Sequence, residues 1–434
     1  MTPRTATGGD QRTATRLAPL ITAALAASLL APTGAAASEE AHRAIRQSTV
    51  FEQGEDGYHT FRIPAVVRAA DGTLVAFAEA RTSGSGDDGD IDLVAKRSTD
   101  GGARWGPLIV VWDAGANKAG NPVPVLDRNT GRLILNTTRT GGDVSTADVR
   151  CGRADAQQTR RSFVQHSDDD GLTWSPPEEI TQDVRPGNWR HFVGGPGHAI
   201  QLEHGEHEGR LVIPGNHSVA PPEGSGIDCL DDRLFGAHSL YSDDGGATWH
   251  LGGVDTPLTG VDNPNESTVA ERADGTVYFN ARDQQGTSPA TRLATTSSDG
   301  GASFDGPYQP VDDLVGPVVQ GSVLALDGGE RLLYAGPGRP DARRDLTLWT
   351  SEDATSWESA LLVNSAPAGY SDLVGLERGA VGVLYENGVP SAEQPNPPAH
   401  QRITFARVPG PLLTGHGNDA DHGAPGAGAP GHRP

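Results

Sequence analysis

Short strand-like runs of four or five residues, mixing apolar and polar positions, recur along the chain at Ile91–Ala95, Ser162–His166, Ala237–Tyr241, Arg292–Thr295 and Leu346–Thr350. Each is bounded by Gly, Asp and Ser, and no long stretch carries the 3.6-residue apolar period of an amphipathic helix. The pattern predicts β-strands joined by tight turns. Two stretches depart from it. A basic start (Arg4, Arg12, Arg16) leads into a short apolar run, Leu17–Leu30, followed by the small residues Ala35–Ala37. This is the three-part signature of a secretory signal peptide cleaved before Ser38; a membrane anchor is the alternative, although the run is short for a span. From Pro411 to Pro434 the chain is mostly Gly, Pro, Ala and His, with no apolar period to bury, so a disordered tail is expected. The organisation read from these patterns is a signal peptide over 1–37, a linker over 38–48, one domain over 49–410 and a tail over 411–434.

A longer repeat governs the strands. Ser98-Thr-Asp100-Gly-Gly102-Ala-Arg-Trp105 recurs as Ser167–Trp174, Ser242–Trp249 and Ser297–Phe304, and a shortened fifth copy without the glycine spans Ser351–Trp357. The first residues are 69, 75, 55 and 54 positions apart. The motif has the chemistry of a hairpin turn. Asp accepts backbone N–H groups, Gly supplies positive φ, and the terminal aromatic packs beneath adjoining strands. Antiparallel repeats of this length are best closed radially. Five boxes plus divergent ends predict an all-β, six-bladed β-propeller in which the two ends of the chain complete one blade. The 57 Gly and 32 Pro residues agree with a turn-rich β protein.

Charge narrows the function. The chain carries −22, and −24 without residues 1–37, whose three Arg and one Asp leave with them. Such a surface argues against nucleic acid or anionic lipid as partner, and no membrane insertion is expected. The two cysteines, Cys151 and Cys229, suit a disulfide in an exported protein. They are too few for a zinc cluster.

The boxes resemble the Asp-boxes of the sialidase superfamily, a motif that other propellers share. Segments between the boxes carry the functional part of the resemblance. Phe61-Arg62-Ile63-Pro64 matches the opening motif of sialidase domains; on its own it reads as an Arg on a solvated strand end. Asn263-Pro-Asn-Glu266-Ser and Phe279-Asn-Ala-Arg282, with Glu and Arg sixteen apart, resemble the fourth-blade segment. Ala368-Gly-Tyr370-Ser-Asp372-Leu resembles the nucleophile segment, and Gly369–Asp372 reads locally as a turn. The resemblance extends from Phe51 to Val408.

What the resemblance implies is a retaining exo-α-sialidase acting on sialylated glycans, glycoproteins or glycolipids, secreted, monomeric, and without metal or other cofactor. Three arginines would hold the substrate carboxylate, since guanidinium suits bidentate carboxylate binding. These are Arg62, Arg282 and Arg343, with Arg344 as the alternative third. Tyr370 would be the nucleophile, because a neutral phenol avoids repulsion from a carboxylate on the anomeric carbon, and sialidases are exceptions to carboxylate nucleophiles for this reason. Glu266 would be its base. The acid/base lies in the loop Arg81–Asp92, where Asp87 is the first choice and Asp88 the second; the same aspartates taken alone would suggest a calcium loop. Arg81 and Asn121 would contact the sugar, Glu386 would orient Arg62, and His198 reads as structural. Two competing classes stand beside this reading. One is a non-catalytic propeller lectin; the other is a paired-carboxylate hydrolase of neutral glycans.

Overall fold

The computed structural model describes residues 43–413; the expected signal peptide, residues 38–42 of the linker and nearly all of the tail lie outside them, and the linker's last three residues belong to the strand Arg46–Glu52. The fold is all-β, as the strand pattern requires. Its strands follow one another as four-stranded antiparallel meanders. The first comprises Thr60–Arg68, Leu74–Arg81, Ile91–Ser98 and Ile109–Trp112. The second runs from Lys118–Asp127 to Glu178–Glu179. The third runs from Trp189–Gly194 to His250–Asp255, and the fourth from Pro264–Glu271 to Gln309–Pro310.

One 18-residue strand, Glu358–Gly375, serves two meanders. Its first half pairs with Ala342–Ser351 and its second with Val381–Asn387. The last meander takes its outer strand from the start of the chain, because Arg46–Glu52 pairs antiparallel with Arg402–Val408. The expected sharing of one unit between both ends therefore holds.

Each box joins the third and fourth strands of its meander. In the second box Ser167 donates to Asp169, which accepts the Thr173 N–H and hydroxyl at 2.8 and 2.6 Å. In the first box Arg104 stands where the others have Thr or Ser, and its Nε reaches the same carboxylate oxygen at 2.8 Å. The box glycines are needed twice over. They adopt positive φ, and a Cβ on Gly171 would lie 2.9 Å from Val75 of the preceding meander. Gly246 faces Ile134 and Gly301 faces Val212 in the same way, while Gly102 faces Phe405 of the last meander. The fifth box lacks the glycine and holds Ala354 at φ 64° instead.

A disulfide joins Cys151, at the end of the short helix Thr146–Arg150, to Cys229. It ties together the long loops that rise from the second and third meanders.

Candidate active site

Four of the residues singled out from the sequence sit where strand register breaks. Pairing slips between Arg62 and Ala65, between Gly120 and Val123, between Pro264 and Ser267, and between Ala368 and Ser371. Arg62, Asn121, Glu266 and Tyr370 all lie within these bulges, which turn a side chain out of the ladder's alternation. Ile63 has φ 58°, a conformation costly for a β-branched residue. Its freed N–H donates to Glu386 Oε1 at 3.0 Å, which holds the kink in place. The local reading of Gly369–Asp372 as a turn is corrected here. These residues belong to the long strand Glu358–Gly375, and the bulge, not a chain reversal, presents the phenol.

Tyr370 is the centre of the cluster. Its hydroxyl donates to Glu266 Oε1 at 2.6 Å, and Arg282 Nη1 donates to Glu266 Oε2 at 2.9 Å. The guanidinium of Arg62 lies 5.2 Å from the Tyr370 ring centre and that of Arg343 5.9 Å. Arg344 instead reaches the Ser365 carbonyl and Asp345. Glu386 is 1% exposed and accepts four bonds, from Arg62 Nε and Nη2, Ile63 N and Tyr370 N. One buried carboxylate thus fixes both Arg62 and the backbone of Tyr370.

Burial pushes the Tyr370 phenol well above its ordinary pKa, and the Glu266 charge pushes it further, against Arg282 and Arg62. For Arg62 burial works against the charge, but Glu386 outweighs it and the pKa rises. Arg282 is likewise raised, through Glu266, against its own burial.

Asp87 stands on the loop between the strands Leu74–Arg81 and Ile91–Ser98. It lies 2.9 Å from Arg81 and 4.0 Å from Arg62, with its side chain 64% exposed. Partial enclosure would raise its pKa, yet Arg81, Lys118 and Arg62 together lower it. The expectation that Arg81 touches the sugar is revised. Arg81 is 1% exposed, and its guanidinium is taken up by Glu79, the Ser85 and Gly86 carbonyls and Asp87. It clamps the acidic loop. Asn121 keeps its N–H on Glu79 and its amide on the Gly194 carbonyl.

Several residues that matter here went unnoticed in the sequence. Glu79, fully buried, joins Arg81 at 2.6 Å and Lys118 at 3.4 Å beneath the loop. Their strand alternation could have suggested it, since Glu79 and Arg81 share a face. His400 lines a cavity with Arg62 and Arg343; nothing in its Pro-rich surroundings marks it. His198 Nδ1 lies 2.7 Å from Asp372 Oδ1, placed to donate its N–H to the buried carboxylate.

A Tyr–Glu pair, clustered arginines and a partly exposed aspartate thus meet on one all-β scaffold. Residues 72–383 match the BNR repeat-like domain family. The chain is 33% identical over 351 residues to a sialidase of Micromonospora viridifaciens, covering 77% of this chain and 51% of that protein. It is 32% identical over 314 residues to an exo-alpha-sialidase of Aspergillus fumigatus, covering 69% of each. The solved Hadza microbial sialidase Hz136 superposes with a TM-score of 0.69 at 27% identity, over 85% of this chain and 69% of that one. The chain belongs to the sialidase family, and it spans about half the length of the Micromonospora protein.

Proposed function

We propose that this chain is a retaining exo-α-sialidase that releases terminal sialic acid from glycoconjugates through a covalent bond to Tyr370. The observation that carries the reading is the 2.6 Å contact between the Tyr370 hydroxyl and Glu266, set among Arg62, Arg282 and Arg343. The three arginines bind the substrate carboxylate against the chain's overall −22. Tyr370 attacks the anomeric carbon while its proton passes to Glu266, and the glycosidic bond breaks as Asp87 gives its proton to the leaving oxygen. Water then attacks the same carbon, loses a proton to Asp87 and expels Tyr370, which recovers its proton from Glu266. Arg81 acts through Asp87, Glu386 through Arg62, and Asn121 sits at the sugar's edge.

The scaffold for this chemistry is a six-bladed propeller, each meander a blade. Contacts between successive blades support it. Asn121 N meets Glu79, and Asn121 Nδ2 meets the Gly194 carbonyl. Ser267 N meets Gly195 O, Val323 N meets Thr268, Leu373 N meets Ser322 and Val66 N meets Asp372. The last of these joins the sixth blade to the first. The basic and apolar start of the chain and the Cys151–Cys229 disulfide support a secreted protein, and we take it to act as a monomer on exposed glycans.

The test is release of 4-methylumbelliferone from its α-sialoside by residues 38–434 in EDTA, for wild type and Tyr370→Phe. Turnover that survives EDTA and collapses in the variant supports the reading. A folded wild type that releases nothing from this substrate returns the chain to the binding-propeller class.

A further inference from the structure

We infer that Glu79, with Lys118, is the positioning residue of the general acid: a buried ion pair that ties the Asp87 loop to the sugar's edge and offsets the cations crowded around Asp87. This rests on the sialidase reading above, in which Asp87 is the acid.

Glu79 stands on the strand Leu74–Arg81, paired in register with Arg62. It is fully buried, and both carboxylate oxygens are engaged. Oε2 meets Arg81 Nη2 at 2.6 Å. Oε1 accepts the Asn121 N–H at 3.0 Å and lies 3.4 Å from Lys118 Nζ. Each partner leads to a different part of the site. Arg81 donates to the Ser85 and Gly86 carbonyls and lies 2.9 Å from Asp87. Lys118, itself buried, donates to the Asp87 carbonyl at 3.3 Å. Asn121 belongs to the bulge of the second meander, at the sugar's edge in the reading above. One carboxylate therefore joins the acid loop to that edge.

The neighbouring backbone is shaped for this approach. A Cβ at Gly120 would collide with Glu79 Oε1 and lie 2.9 Å from Lys118 Cε, so only glycine lets the second meander close on the carboxylate. A buried ion pair contributes little net stability over apolar residues of the same volume. Stability alone is therefore a poor account of this one.

Charge supplies a better one. Burial alone would raise the Glu79 pKa, but Lys118 and Arg81 outweigh it and keep the carboxylate ionised. Burial depresses Lys118, with Arg160 and Arg81 adding to this and Glu79 and Asp87 opposing it. The charged groups facing Asp87 are Arg81, Lys118, Arg62, Glu79, the buried Arg160 of the second meander and the adjoining Asp88. Arg62 is already matched by Glu386. Arg160 is bonded to Thr146 and to His191, which its burial keeps neutral. Besides Asp87 itself, Glu79 is the only carboxylate in ion-pair contact with Arg81 or Lys118 among the described residues. Without Glu79, Arg81 stays charged, Lys118 still faces Asp87, and both hold Asp87 ionised down to lower pH. Without Lys118, one cation fewer acts on Asp87, which keeps its proton to higher pH.

The experiment measures kcat/KM against pH on α2-3-sialyllactose, whose leaving alkoxide needs the acid, for wild type, Glu79→Gln, Lys118→Met and the double variant. Glu79→Gln is expected to move the alkaline limb about one pH unit lower and Lys118→Met about one unit higher, the scale of one neighbouring charge. The double variant, having lost one charge of each sign, should return close to wild type. In an Asp87→Asn background, read on the 4-methylumbelliferyl α-sialoside, neither substitution should move the limb. A pair that only supports the fold would lower Tm and rates without opposite shifts. Shifts of the same sign, or limbs that stay in place in active variants, overturn the inference; Lys118→Met alone decides it where Glu79→Gln does not fold. A wild type inactive on both substrates defeats the sialidase reading instead, so the two failures are told apart.

Discussion

The hydroxyl of Tyr370 and Oε1 of Glu266, 104 residues apart in the chain, stand 2.6 Å from each other. Burial and the Glu266 charge raise the phenol's pKa above the ordinary value of 10, so free phenolate does not accumulate near neutrality. In the proposed mechanism the proton must therefore leave as the bond to carbon forms, and Glu266 is the only carboxylate in contact with the hydroxyl among the described residues. Glu266→Gln keeps an oxygen for Arg282 but cannot accept a proton. It is expected to lower kcat by about 10² to 10⁴, the usual range for a lost general base, with KM changed only a few-fold. Steady-state rates on the 4-methylumbelliferyl sialoside decide it; a variant within ten-fold of wild type would count against the base role.

The disulfide offers a test of stability apart from chemistry. Cys151 and Cys229 are 78 residues apart, and in the chain-entropy account closing such a loop restricts the unfolded state by about 4.5 kcal/mol. Neither cysteine touches the Tyr370 cluster. The double variant Cys151→Ser, Cys229→Ser should melt several degrees lower while keeping kcat at 25 °C within two-fold. A selective loss of kcat with unchanged Tm would show that the bridge shapes the site.

How far this could be read beforehand follows from the kind of signal each feature leaves. The boxes were legible because their turn chemistry is local: Ser, Asp and Gly bond to one another within five residues, as Ser167, Asp169 and Gly171 do. The strand before each box was legible for the same reason. Tyr370 was found through its motif, yet its backbone was misread, because a bulge is set by pairing with Val381–Asn387 and leaves no signal in Gly-Tyr-Ser-Asp itself. Glu386 was found as a partner of Arg62, while its bonds to Ile63 and Tyr370 depend on two distant bulges meeting. His400 and Lys118 stayed hidden, since what makes each matter is the arginine beside it in space.

Asp372 extends the same logic to the buried interior. Fully buried, it contacts His198 and Ser322 through Oδ1 at 2.7 and 3.0 Å, and accepts the Val66 N–H through Oδ2 at 2.8 Å. Val66 is four residues from Arg62 and Asp372 two from Tyr370. Asp372→Ala strands three polar partners in the interior, a loss of about 3–5 kcal/mol. Chemical denaturation should show that loss. Asp372→Ala with wild-type stability would mean the contacts are replaceable.

The third meander predicts an acid limit. His191, His217 and His238 are buried; His217 stacks on Trp189 at 3.5 Å and shares an Nδ1···Nδ1 contact of 3.3 Å with His238. Burial lowers all three pKa values, that of His238 to about 3, while Arg160 also acts on His191 and His238 on His217. A group depressed in the folded state is protonated first in the unfolded one. Stability is therefore complete above the ordinary histidine value and falls as pH drops from about 6.5 toward the folded values, by about 1.4 kcal/mol per pH unit for each histidine. His238→Leu removes one of these groups. Its Tm is expected to start lower at pH 7 for want of a partner to His217, but the fall of Tm between pH 6.5 and pH 4 should be shallower than in wild type. An equally steep fall would assign the acid sensitivity elsewhere.

Asp87 carries the last prediction, because its electrostatics in the free protein oppose its proposed role. Arg81, Lys118 and Arg62 hold its pKa below the ordinary carboxylate value despite partial enclosure, so it is ionised near neutrality, whereas an acid must arrive protonated. Substrate binding changes the balance, since a carboxylate laid on Arg62 cancels one of the three cations and adds a negative charge nearby. Both raise the Asp87 pKa. Activity that depends on protonated Asp87 falls as pH rises, and the kcat limb, which reports the complex, should lie at higher pH than the kcat/KM limb, which reports the free enzyme. The need for the proton also depends on the leaving group. Asp87→Asn should cost about 10² or more on sialyllactose, whose leaving alkoxide is poor, and far less on the aryl sialoside, whose phenolate leaves unaided. Equal losses on the two substrates, with coincident pH limbs, would remove Asp87 from the acid role and direct the same test to Asp88.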